Sequence, residues 1–77
     1  MLTNKLYGRL IERKLDGSVD DALGTGSIVM FDNRYNKKNI GEYIRQRMES
    51  LNNNLGKNYV GYRVMKGNTE LWRIIYE

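Results

Sequence analysis

Cysteine, histidine and proline are all missing from this chain of 77 residues. Without cysteine no disulfide forms, and without cysteine or histidine there is no ordinary zinc site. The missing histidine also removes Ser-His-Asp and Cys-His arrangements, together with the commonest general base. Phosphate-cradling loops are absent as well, because Gly24-Thr25-Gly26 is followed by no third glycine that opens a helix. The adjacent carboxylates Asp20 and Asp21 read as solvated loop side chains rather than a Mg²⁺ site. The chain is therefore expected to be no enzyme and to hold no cofactor and no metal.

Long apolar runs are lacking too. Nothing approaches the roughly 20 residues of a transmembrane helix, and the opening MLTNKLYGRL is interrupted by charge where a signal peptide needs an apolar core. No membrane association and a cytoplasmic location are the expectations. The missing proline, beside abundant Asn, Lys, Ile and Tyr, fits AT-rich coding DNA, as in low-GC bacteria, their phages and mobile elements. At this length residues 1–77 make a single small domain whose core supplies only about 3–5 kcal/mol of net stability. Homo-oligomerisation is a way for such a chain to bury more surface.

The charge present is unevenly spread. Thirteen basic and nine acidic residues give a net +4. Residues 1–32 hold four basic and five acidic side chains, whereas residues 33–77 hold nine and four, so the second half carries the whole excess. That asymmetry points to an anionic partner.

The stretch 39–56, NIGEYIRQRMESLNNNLG, predicts the main helix. Ile40, Tyr43, Ile44, Met48, Leu51 and Leu55 recur at helical spacing, with Glu42, Arg45, Gln46, Arg47, Glu49 and Ser50 between them. Asn39 with Glu42 reads as a capping box, and Gly56 as a left-handed end cap. Asn52-Asn53-Asn54 reads as the fraying end.

Residues 2–15 suit either a helix or a strand with a bend or bulge at Gly8, and the strand is preferred because a glycine inside a helix costs about 1 kcal/mol. Residues 16–27 read as a loop rich in Gly and Asp, Ile28–Phe31 as a short buried strand, and residues 34–38 as a basic approach to the helix. At the far end, Lys66-Gly67-Asn68-Thr69 turns a hairpin between Asn58–Met65 and Thr69–Tyr76. A regular register would place Val60, Val64, Leu71 and Ile75 on the face towards the helix. Tyr59, Arg63, Met65, Trp72, Ile74 and Tyr76 would share the other face, with Arg63 opposite Trp72 as a cation–π pair.

The expected fold is α+β: an antiparallel sheet with one main helix packed across it, in the order ββαββ, or αβαββ if the first segment is helical. Over residues 36–77 the helix and hairpin resemble the final helix and wing of winged-helix DNA-binding domains, without the preceding helix of a helix-turn-helix.

Two functions follow. The first is nucleic-acid binding, DNA or RNA, by a small accessory or regulatory protein. Arg34, Lys37, Lys38, Arg45 and Arg47 would contact phosphates around the helix, with Lys57, Arg63 and Lys66 extending the patch. Cations at a helix start oppose its macrodipole, so selection for stability alone would not place them there. The second is a protein-interaction module, inhibitory or self-assembling, that uses Tyr59, Met65, Trp72, Ile74 and Tyr76, residue types enriched at interfaces.

Overall fold

The computed structural model describes residues 5–24, 26–31 and 35–76. Five strands and one helix follow in the order β1 (Leu6–Arg13), β2 (Val19–Asp21), β3 (Ile28–Phe31), α1 (Lys37–Leu55), β4 (Tyr59–Lys66) and β5 (Thr69–Ile75). The class is α+β with an antiparallel sheet, as expected, but the order is βββαββ. The added strand is β2, inside the segment that reads as a loop. It exists because Asp16 closes the turn through its carboxylate on the Ser18 N–H and hydroxyl, with Gly17 at positive φ. Val19 is thereby returned opposite Arg13.

β1 is the spine of the sheet. One edge runs along β4, while the other is shared end to end by β3, opposite Leu6–Arg9, and β2, opposite Ile11–Arg13. Between those two partners Leu10 keeps the ladder going, donating to Ser27 O and accepting from Ala22 N–H. The first segment is thus a strand, and Gly8 is not its bulge. A Cβ at Gly8 would lie 2.6 Å from Ile44 Cδ1, so the glycine is where the helix comes down on the sheet. Because three strands precede α1 and β1 lies along β4, the last hairpin belongs to one sheet and is no free wing.

Both bulges in the sheet escape the sequence pattern, and each moves side chains to the opposite face. Beside the turn, Lys66 pairs with Thr69 and Met65 with Glu70 as a regular register requires. Leu71 is then extra, so Val64 meets Trp72, Arg63 meets Arg73, Tyr62 meets Ile74 and Gly61 meets Ile75. The Arg63–Trp72 pair does not form, and Trp72 and Ile74 move to the helix side while Leu71 stays exposed. The second bulge, at Val60 in the pairing with β1, returns Tyr59 to the helix side.

The core lies between α1 and this face. Ile40, Ile44 and Met48 of α1 cover Leu6 and Leu10 of β1, Val29 and Phe31 of β3, and Tyr62 and Val64 of β4. The stripe is narrower than its spacing suggests, since Tyr43 and Leu55 remain exposed. Tyr43 does meet Phe31 edge-on, at 5.6 Å between centroids.

The helix begins three residues earlier than Asn39 implies. Asn36 is the cap, its side-chain oxygen accepting from Asn39 N–H at 2.9 Å. At the other end Gly56 closes the helix in the left-handed region, as expected. The asparagines before it do not fray. Asn52 donates to Tyr59 O at 3.0 Å and accepts from Tyr59 N–H at 2.9 Å, tying the last turn of α1 to the start of β4.

Candidate functional site

The shifted cap changes the status of two lysines. Lys37 and Lys38 are the first two residues of α1, not loop residues before it, and the first turn holds no acidic side chain. No basic residue complements the last turn either. At each end the helix forgoes the charge that would stabilise its dipole, and at the start it carries the opposite one.

That start overhangs the β4–β5 turn, and a cleft of about 250 Å³ opens between them. Leu6, Ile40 and Leu71 are its aliphatic lining; Tyr35 and Trp72 supply rings, and Lys37 and Lys66 supply charge. No carboxylate among the described residues lines it. Lys66 reaches it because the turn keeps Lys66 opposite Thr69 and β1 places it beside Leu6, so its side chain shares the helix side of the sheet. Tyr35 is placed by Phe31, 5.3 Å away between ring centroids.

Trp72 joins this cleft to the core. The ring is half-buried and packs on the hydrophobic cluster, Lys37 Nζ lies 5.1 Å above its centroid, and its Nε1–H is out of reach of solvent with no acceptor among the described residues. An N–H stranded in this way costs about 1–3 kcal/mol. Trp72→Phe is therefore expected to shift the unfolding free energy by less than about 1 kcal/mol, since the lost packing is offset by loss of the stranded donor. Urea denaturation followed by circular dichroism measures it, and a loss of 3 kcal/mol would mean that the N–H is satisfied.

The other residues expected to bind nucleic acid are dispersed. Lys38 sits exposed beside Lys37. Arg45, two turns on, pairs with Glu49 at 3.6 Å and stands 5.7 Å over the Tyr76 ring. Arg47 is half-buried beside Gly26, its Nε without a partner. Lys57 lies past the far end of α1, roughly 28 Å from Lys37 at 1.5 Å per residue. Arg63 is on the other face of the sheet, ion-paired with Asp21 and, at 3.5 Å, with Glu70, which also binds Arg73 at 2.7 Å. The Arg73 hydrogen bond, ahead of Arg63, holds the Glu70 carboxyl below its ordinary range. Arg34 lies outside the described residues.

The residues expected to form one protein-binding face are likewise divided. Tyr59 is buried in the core, while Trp72 and Ile74 are half-buried against it. Met65 is buried on the opposite face, beside Tyr7. Tyr76 is exposed and leans on Tyr62, 6.2 Å between centroids. Burial, and then the adjacent Tyr62 hydroxyl, raises its phenol above the usual range.

Tyr35 and Leu71 line the cleft without being singled out by the sequence. An aromatic interleaved with Arg34, Lys37 and Lys38 was a usable signal for Tyr35, whereas Leu71 reads as core on the helix-facing side of the hairpin and not as part of a site. Among the described residues no group of three carboxylates converges as a metal site, and no helix is long and apolar enough to cross a membrane. Comparison with protein families, curated proteins and solved structures finds no match.

Proposed function

We propose that this domain is a small, non-enzymatic nucleic-acid-binding protein whose contact surface is the start of α1 and the adjoining β4–β5 turn. The observation that supports the reading is the cleft, where Lys37 and Lys66 flank Tyr35 and Trp72 with no carboxylate among the described residues. Ammonium groups there meet phosphates, and exposed ring faces take bases. The charge pattern of α1 favours the same reading, because Lys37 and Lys38 oppose the helix dipole, and an anion in front of them would turn that cost into a gain. Arg63 is excluded from this surface by its two carboxylate partners.

The reading is tested by equilibrium binding to labelled single- and double-stranded DNA and RNA at low ionic strength, with a light-scattering mass on the same sample. Binding to at least one polymer that weakens steeply as salt rises is the expected result. No binding to any of the four at low salt would reject it, and a dimeric mass would then direct attention to contacts between copies.

A further inference from the structure

Two cation–aromatic pairs stand in step along the boundary between α1 and β5. Lys37 lies over Trp72 at 5.1 Å, and Arg45 over Tyr76 at 5.7 Å. On the helix the two cations are eight residues apart, about 12 Å at 1.5 Å per residue. On the strand side the two rings are four residues apart, about 13 Å at 3.3 Å per residue. Tyr76 continues the line of β5, its N–H bonded to Val60 O at 2.7 Å. The equal spacing means that the pairs repeat along one seam and do not merely lie near each other.

The seam is open because α1 sits across β4 and leaves β5, the edge strand, less covered. Its start is the cleft, with Lys66 on the far side. Glu49, one turn beyond Arg45 on α1, is engaged by it at 3.6 Å.

We infer that this seam is a track for a single strand of nucleic acid, with Trp72 and Tyr76 as successive stacking platforms and Lys37, Lys66 and Arg45 as phosphate contacts. The inference rests on the nucleic-acid reading above and specifies the form of the polymer. Bases of a duplex are already stacked and face inward, so two rings spaced along a groove gain nothing from them. Unpaired bases stack on any ring, whatever their identity. A base on a ring outweighs an exposed cation above it, so Lys37 and Arg45 yield the ring faces and turn to the phosphates. An acidic peptide would satisfy the cations but leave both rings without a matching partner.

Trp72 is the only tryptophan in the chain, so its fluorescence reports occupancy of the first platform. The full chain is titrated with oligo(dT), with the duplex of oligo(dT) and oligo(dA), with polyphosphate as a polyanion without bases, and with polyglutamate. Oligo(dT) is expected to quench Trp72 and to bind more tightly than the duplex. Tyr76→Leu should weaken oligo(dT) binding about 5- to 150-fold, the range carried by one stacked base, and leave polyphosphate binding unchanged. Tyr76→Phe should restore it, which separates stacking from any loss of folding. Equal binding of oligo(dT), duplex and polyphosphate without quenching would overturn the track while leaving the basic surface intact. Tighter binding of polyglutamate than of oligo(dT) would overturn it in favour of an acidic protein partner. Failure of every polyanion to bind at low salt would overturn both readings.

Discussion

Gly61→Ala is expected to leave the domain largely unfolded at 25 °C. A Cβ at this position would collide with Ile74 O and lie 2.9 Å from both Cα and Cδ1 of Ile75. The first two are backbone atoms of the paired strand, so relief requires β4 and β5 to separate. Gly61 is inner on the sheet, held between Ile11 of β1 and Ile75 of β5. Bulges at Val60 and Leu71 sharpen the local twist on either side, which draws the strands close here. Overpacking of a side chain costs about 1–3 kcal/mol, and a clash against backbone costs more. A domain of this size has about 3–5 kcal/mol in all.

Gly8 provides the internal comparison. The atom a Cβ would meet there first is Ile44 Cδ1 at 2.6 Å, the end of a flexible side chain. Gly8→Ala should therefore fold, with a loss near the lower end of the same 1–3 kcal/mol range. Urea denaturation of both variants by circular dichroism decides the matter, and a Gly61→Ala protein as stable as Gly8→Ala would refute the close approach of β4 and β5.

These two glycines also show where sequence reasoning succeeds and where it stops. Helical spacing of Ile40, Ile44 and Met48 finds the helix and its buried side, because burial and periodicity are one signal there. The hairpin turn is equally legible, since Gly67 at positive φ is demanded by its geometry. Gly8 marks a special position but not its cause, which is a side chain 36 residues away. The bulges at Val60 and Leu71 leave no mark in composition. A single extra residue reverses the faces beyond it, so Trp72 and Ile74 belong to the helix side instead of a shared outer face. The basic cluster was legible as charge, but which members converge was not. Ion pairs remove Arg63, helix length removes Lys57, and among the described residues Lys37 and Lys66 are the cations that reach the cleft.

The double reversal Lys37→Glu/Lys38→Glu is expected to move stability and binding in opposite directions. Each anion in the first turn gains about 0.3–1 kcal/mol from the macrodipole and removes a cation that opposed it. Loss of the Lys37 contact over Trp72 returns about 0.5–1 kcal/mol. The balance favours the variant by about 0.5–1.5 kcal/mol, and Tm rises by several degrees, at about 4–8 °C per kcal/mol for a domain of this size. Binding should fall on all sequences alike, because in the proposed reading these lysines contact phosphates and not base edges. A residue kept for stability would show the reverse pattern, with a lower Tm and unchanged affinity. The two outcomes differ in sign.

The most direct test of the account is the salt dependence of binding to a single-stranded oligonucleotide, measured for the wild type and for this double variant. The prediction is a linear fall of log K with log salt for the wild type, and for the variant a slope shallower by about 1.4, at roughly 0.7 per phosphate contact on a single strand. Wild-type binding that is absent, or identical slopes for the two proteins, would contradict the claim that the start of α1 is a phosphate-binding surface.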